Sequence, residues 1–329
     1  MFNLILFIIL LIIIFYHIYP MREGMKFESK FLKDAYKDNG IEIDENNKIL
    51  KKNGEKLSYK NHFNKHKGRI KCSDKSITHD ELKKNYIPVA NNYVWDFEIP
   101  ITENIKHKKI KYPLVAKPTN GQEGKMVTTK IDNDDKLSEV ALEFINLNQP
   151  FLLEEHIFGK EYRIMILNNE IIGITERQKP IVIGDGENNI YDLINIENQR
   201  RRDYVKIHDI DDNLLSKQGY SLSSIPKRNE EITISNVPLL TNGGGMKNIN
   251  INSVHPDNIE MFKKINNILG VKLTGIDYIS PSIYNSYNSF PENTAVIDVN
   301  SKPAFTGILE GQTPKNKLNI INKFVSSIF

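Results

Sequence analysis

A chain of 329 residues, 40% hydrophobic and 26% charged, has room for one large domain or two to three small ones sharing a core. Its net charge of +3, with no basic patch interleaved with aromatics, speaks against nucleic acid as a partner. The single cysteine, Cys72, excludes an intrachain disulfide and fits a reducing compartment.

The first element is almost unbroken hydrocarbon from Phe2 to Tyr19, with Tyr16 and Tyr19 where an interfacial aromatic belt would lie. At ~1.5 Å per residue it spans roughly 27 Å, enough for a thin bilayer, so residues 1–20 are predicted to be a transmembrane anchor. No positive charge precedes the run and no small-x-small cleavage site follows it, as a signal peptide would require. Arg22, Lys26, Lys30, Lys33 and Lys37 all follow it. By the positive-inside bias, the expected protein is single-pass and membrane-bound, with its catalytic domain in the cytoplasm.

Residues 21–70 read as a cap or linker region. Phe27, Phe31, Leu32, Ala35 and Tyr36 share a helical face that Asn39-Gly40 stops, and the polar, turn-rich 41–70 suggest a small α/β cap. His62 and His66 stand four apart without an acid and read as a surface pair. Cys72 has no activating histidine beside it. Thr78 and Glu81 in "SITHDEL" have capping-box spacing and predict the start of a short helix that "NYIPVA" ends.

Residues 71–329 are predicted to form the main domain. From residue 112 short apolar strands alternate with helices. "YPLVAK" and "KMVTTKI" read as neighbouring strands, "LSEVALEFINL" as a helix, "FLLEEHI" and "YRIMIL" as strands, and "NN" before "EIIGIT" as a hairpin turn. "IEMFKKINNILG" is an amphipathic helix closed by Gly270, "LTGIDYI" and "TAVIDVN" are strands, and "NKLNIINKFVSSIF" is a closing helix. The fold class is therefore α+β with a mainly antiparallel sheet.

Three groups of residues carry chemistry. In "LVAKPTNGQEGKMV", Lys117, Gly121, Gly124 and Lys125 could cradle a phosphate, or could be a plain hairpin with surface lysines. The segment is not a P-loop, because Thr119 stands where its first glycine belongs and Met126 where its Ser/Thr belongs. Nor is "GDGENN" a dinucleotide fingerprint, since Asn189 takes the last glycine position. Glu154 and Glu155 stand at a strand end, with Glu161 six residues beyond the second. Asp298 and Asn300 share one side of a strand by period two, and Asp277 has a comparable apolar setting. Oxygen ligands on stiff strands suit Mg²⁺, which takes one or two carboxylates and completes its shell from substrate phosphates.

In this order, a strand lysine, a glycine loop with a second lysine, "EE…G.E.R", "GID" and "DVN..P" resemble the ATP-grasp ligases, whose two α+β subdomains clamp ATP. The likeness is greatest to the ATP-grasp part of cyanophycin synthetases and bifunctional glutathione synthetases. It extends from about residue 68 through "GRIKCSDKSIT", "ERQKPIVIGDG", "DLINIENQRR", "LLTNGGG", "VHPDN" and "GIDYI". The resemblance implies a carboxylate–amine ligase that makes an acylphosphate from ATP with Mg²⁺, Mn²⁺ being able to take its place. It implies that Lys117 and Lys125 contact phosphates, with the Gly121–Gly124 loop folding over the nucleotide. Glu154, Glu155 and Ile157 would border the adenine, backbone groups of the latter two reading its edge, and Glu161 would bind ribose. Arg163 and Arg177 would face the transferred phosphoryl and the acyl substrate, and Asp277, Asp298 and Asn300 would hold the metal.

The expected partners are a small-molecule carboxylate and an amine, an amino acid or peptide among them, and the family allows a homo-oligomer. Two departures stand out: Asp298 replaces the glutamate of the family's "E-V-N", and no Mur-ligase-like domain follows before Phe329, so complete cyanophycin synthesis is not expected. A non-catalytic nucleotide-binding module and an ATP-grasp kinase are the competing readings. The "GDG" to "NGGG" region looks like ligases rather than kinases.

Overall fold

The computed structural model describes residues 34, 36–44, 49–58, 64–95, 97, 100–121, 126–201, 203–309 and 312–327. The apolar segment at 2–19, His62 of the histidine pair, and Gly124 and Lys125 of the glycine loop lie outside these residues. Among the described residues no helix is long and apolar enough to cross a membrane.

The N-terminal helix expected at 27–36 is described only at its end. There Asn39 and Gly40 N–H groups return to the carbonyls of Tyr36 and Lys37, and Gly40 sits at φ +68°, as a glycine stop requires. A three-stranded antiparallel sheet follows: β1 (Glu42–Asp44), β2 (Ile49–Lys52) and β3 (Glu55–Ser58). Its second turn is Asn53-Gly54, both at positive φ, the conformation a two-residue hairpin needs.

Helix α1 (His66–Ser73) runs through residue 70 and packs against the C-terminal end of the helix at Pro256–Leu269. A Cβ on Gly68 would come within 2.6 Å of the Gly270 carbonyl, so glycine is required there. Helix α2 (Lys75–Lys84) corrects one expectation. Its N-cap is Asp74, whose carboxylate accepts from the Ser76 and Ile77 N–H groups. Thr78 lies a turn inside the helix, where its hydroxyl donates to the Lys71 carbonyl, and Glu81 pairs with Lys71. Asp74 is extended between two helices, so the chain break falls there and leaves Thr78 no exposed N–H groups to cap.

The smaller α+β half contains β4 (Asn92–Trp95), α3 (Ile101–Lys108), β5 (Leu114–Pro118), β6 (Thr128–Ile131), α4 (Asp134–Asn146) and β7 (Phe151–Glu155), with strand order β4-β7-β5-β6. Leu114, Ala116, Phe151 and Leu153 face α3 and α4 and join Ile101, Ile105, Leu137, Val140 and Phe144 in one core. By alternation Lys117 and Glu154 fall on the opposite face.

The larger half is built on β8 (Lys160–Leu167) and β9 (Glu170–Gln178), joined by Asn168-Asn169, both at positive φ, as the hairpin reading expected. An excursion follows: β10 (Ile181–Ile183), α5 (Ile190–Arg200), α6 (Asp212–Lys217) and β11 (Glu231–Thr233) close a separate small core around Ile190, Leu215 and Ile232. Then come β12 (Gly245–Asn248), α7 (Pro256–Leu269), ended by Gly270 at φ +68°, β13 (Leu273–Ser280), β14 (Ala295–Asn300), α8 (Thr306–Leu309) and α9 (Pro314–Ser326). The sheet order is β12-β9-β8-β13-β14, antiparallel throughout, as the α+β reading required.

One face of this sheet packs Tyr162, Ile164, Ile276 and Tyr278 against α7 through Phe262 and Ile265. The other carries Met165, Leu167 and Leu273 against α8 and α9 at one end and polar residues at the other. Cys72 is buried in the α7-side core, and desolvation pushes its thiol up to about 12. Native protein at pH 8 should therefore react with iodoacetamide at least about a hundred times more slowly than urea-unfolded protein, read by mass spectrometry. Equal rates would contradict this packing.

Candidate active site

The site grows from the polar end of the larger sheet. Antiparallel register sets Glu161 opposite Arg177, Arg163 opposite Thr175 and Asp277, Gly275 opposite Asn300, and Asp277 opposite Asp298. Directly paired residues point to the same face, so all of these side chains share one side.

Asp277 is the hub. Its Oδ1 lies 2.7 Å from Arg163 Nε and accepts from Arg177 Nη2 at 3.0 Å, and its Oδ2 accepts from Arg163 Nη2 at 3.0 Å. Arg177 also donates to Glu161. Gly275 makes room for this arrangement: a Cβ there would lie 2.5 Å from Arg163 Nη1. Burial pushes the Arg163 guanidinium below its ordinary range against the pull of Asp277. Burial also opposes the charge on Arg177, but Asp277 and Glu161 outweigh it and hold the cation above its usual range. Burial raises Glu161, opposed by Arg177. Arg177 Nε and Thr175 Oγ1 are buried without a partner among the described residues, so two donors at this end are unspent.

A β-bulge decides where Asp298 points. Tyr278 pairs with Val296 but Asp277 with Asp298, so Ile297 is an extra residue on β14. Val296 and Val299 both enter the α7-side core although they are three apart. Strict alternation from Val296 would have sent Asp298 and Asn300 into that core. The inserted residue turns them to the face of Asp277.

The bulge also turns the Ile297 carbonyl out of the ladder, and the smaller half meets it there. Lys117 Nζ donates to Ile297 O at 2.9 Å and lies 2.7 Å from Glu154 Oε2. His79, on α2, has Nδ1 3.2 Å from Glu154 Oε1 and Nε2 3.4 Å from Ile297 O. Lys75, which the sequence reading passed over, spans the same gap. Its Nζ donates to the Gly121 carbonyl at 2.8 Å and lies 3.8 Å from Asp298 Oδ1, and its N–H donates to the Thr119 carbonyl. Its position after the N-cap aspartate in "SDK" was the available signal. His79 was missed because a lone histidine in a helix carries none.

The remaining residues are placed less centrally. The Glu155 carboxylate accepts from Asn91 Nδ2 and the Lys111 N–H, and its own N–H is given to the Asn91 carbonyl, so that N–H does not face a ligand. Ile157 is half-buried just beyond the end of β7. Asn300 Oδ1 accepts from the Lys302 N–H at 2.8 Å. Among the described residues no three His, Cys, Asp or Glu side chains gather as a metal site on their own.

Burial lowers the pKa of His79 despite Glu154 beside it, which keeps the imidazole neutral at pH 7. The unfolded histidine takes up its proton near pH 6.5, and the folded one only below that. This contribution to stability is therefore complete above pH 6.5 and is lost as pH falls below it, by up to about 1.4 kcal/mol per pH unit. Urea midpoints of wild type should fall more between pH 7 and pH 5 than those of His79→Gln; equal slopes would refute the assignment.

Comparison with known proteins agrees with this geometry. The RimK-like ATP-grasp domain family matches residues 72–192. Cyanophycin synthetase of Trichormus variabilis is 25% identical over 242 residues, covering 70% of this chain and 26% of that protein. A bifunctional glutathione biosynthesis protein of Clostridium perfringens is 27% identical over 251 residues, covering 70% of this chain and 31% of that protein. The chain thus spans about a quarter to a third of the length of these relatives. The crystal structure of a bifunctional glutathione synthetase from Pasteurella multocida superposes with a TM-score of 0.64 at 18% identity, covering 92% of this chain and 43% of that one. D-alanine–D-alanine ligase from Bacillus anthracis gives 0.51 at 14% identity, covering 80% and 71%.

Two α+β halves meeting at a lysine on one sheet and an acid–amide strand on the other are thus an ATP-grasp fold. The chain carries a RimK-like ATP-grasp domain and is homologous to cyanophycin synthetase and bifunctional glutathione synthetase.

Proposed function

We propose that the protein is an ATP-dependent, ADP-forming carboxylate–amine ligase held at the membrane by residues 1–20, with an amino acid or peptide among its substrates. The observation that carries the reading is the convergence of Lys117 with the bulge carbonyl next to Asp298, which joins a cationic strand to an acid–amide strand. The ligases among its relatives support the same assignment.

In the proposed reaction an oxygen of the substrate carboxylate attacks the γ-phosphorus of ATP, and the bond from that phosphorus to the β–γ bridging oxygen breaks to release ADP. The amine nitrogen of the second substrate then attacks the acyl carbon. The carbon–oxygen bond to phosphate breaks, phosphate leaves, and the nitrogen loses a proton. Lys75, Lys117 and, outside the described residues, Lys125 would bind the triphosphate. Lining of the adenine and ribose falls to Glu154, Glu155, Ile157 and Glu161. Arg163 and Arg177 would stabilise oxyanion charge on the transferred phosphoryl and the tetrahedral carbon.

The donor set fits a hard cation: Asp298 and Asn300 share one face beside Asp277, and phosphate oxygens would complete the shell. Mg²⁺, or Mn²⁺ in its place, would neutralise phosphate charge when bound. Asp277 is already shared by two arginines, so in this arrangement it serves first to place them.

Purified protein with Mg²⁺ and a panel of amino acids and dipeptides should release ADP only when an acid and an amine are both present. ADP from the acid alone would mean a kinase. Nucleotide binding without turnover across the panel would mean a binding module. No nucleotide binding would overturn all three.

A further inference from the structure

We propose that His79 is a positioning residue for Lys117, holding through its Nε2–H the Ile297 carbonyl that also accepts from the lysine ammonium. The inference rests on the assignment of Lys117 to ATP made above. A lysine ammonium has three N–H bonds. One is given to Ile297 O at 2.9 Å, and the charge lies 2.7 Å from Glu154 Oε2, so the carbonyl orients the ammonium and leaves N–H capacity for a phosphate oxygen. The same carbonyl lies 3.4 Å from His79 Nε2. With Asn92 Nδ2 donating to Nδ1, the neutral ring carries its proton on Nε2 and donates it to Ile297 O, while Nδ1 lies 3.2 Å from Glu154 Oε1 without a proton to offer.

His79 is 1% exposed, and Asn92 Nδ2, 3.1 Å from its Nδ1 and 2.7 Å from the Ala90 carbonyl, fixes the ring from a third side. The ring sits on α2, Glu154 on β7, Lys117 on β5 and Ile297 on β14, so one side chain ties both halves of the fold at a carbonyl the bulge has freed. A core histidine that served packing alone would not need to give its one N–H to the carbonyl that receives Lys117. Glu154 Oε1, which has no hydrogen bond of standard geometry, has His79 as its polar neighbour.

The test is a double-mutant cycle on ATP affinity, read by a fluorescent ATP analogue in the presence of Mg²⁺ and at up to millimolar concentrations. His79→Phe should weaken binding about tenfold and His79→Gln, which keeps a polar end, about threefold. In a Lys117→Met background, itself binding more weakly, both effects should shrink to less than about twofold. Thermal midpoints are recorded alongside, and the predicted affinity losses should not track them. If His79→Phe does not fold, the His79→Gln arm decides. An equal loss in both backgrounds, or a drop in thermal midpoint with unchanged affinity, overturns the role of His79 and leaves the ATP site standing. If wild type fails to bind the analogue, both readings fall.

Discussion

Lys117→Met should cost about 3–5 kcal/mol of stability, because it leaves the Glu154 carboxylate buried without its cation. Lys117 is 6% and Glu154 3% exposed, their charged atoms 2.7 Å apart. ATP affinity should fall about ten- to a hundredfold in the same variant, the loss of one charge-assisted hydrogen bond to phosphate. These two consequences can be separated. Adding Glu154→Gln removes the stranded charge and should restore most of the stability, measured by urea denaturation. It should restore none of the affinity through Lys117, measured by titration calorimetry with Mg-ATP. A double variant that regains both would make the pair purely structural and remove Lys117 from the nucleotide site.

Asp277→Asn should be comparably costly. One carboxylate accepts a hydrogen bond from each of Arg163 and Arg177 and lies 2.7 Å from Arg163 Nε, and its neutral replacement leaves two buried guanidinium groups of which only Arg177 keeps an acid partner, Glu161. A loss of about 3–5 kcal/mol is expected in chemical denaturation. Turnover, measured as ADP release with both substrates, should drop by about a hundredfold or more because the arginines lose the orientation needed at the transition state. Pairing Asp277→Leu with Arg163→Met removes a charge of each sign and should recover part of the stability but no turnover. A single Asp277→Asn variant within about 1 kcal/mol of wild type would mean that the arginines are held by something other than this acid.

Both predictions concern residues that a linear reading had already singled out, and the folded chain adds a contact to each. The acid in "GID" reads as a metal ligand; in the folded chain it also anchors two arginines, because β8 and β13 are register partners and place Arg163 directly opposite. Glu161 reads as a ribose group and Glu154 as an adenine neighbour. Each also closes an ion pair with a cation, Arg177 or Lys117, that lies across a strand pairing invisible in the sequence. The capping-box spacing of Thr78 and Glu81 misled because spacing alone does not reveal which residue is extended, and Asp74 occupies that role.

Strands β5 to β9, β13 and β14, the Asn39-Gly40 helix stop, the Asn168-Asn169 turn, the glycine stop of α7, the mainly antiparallel α+β class and the ATP-grasp likeness were legible in the chain. They depend on interactions between near neighbours: period-two apolar residues, left-handed turn positions and short motifs in a fixed order. What only the tertiary structure decided is which way the chemistry faces. A single extra residue, Ile297, reverses the alternation of β14, carries Asp298 and Asn300 away from the α7 core, and frees the carbonyl that receives Lys117 and His79. A bulge is set by the register of the partner strand, and that register is a property of β13 and β14 together rather than of either sequence alone.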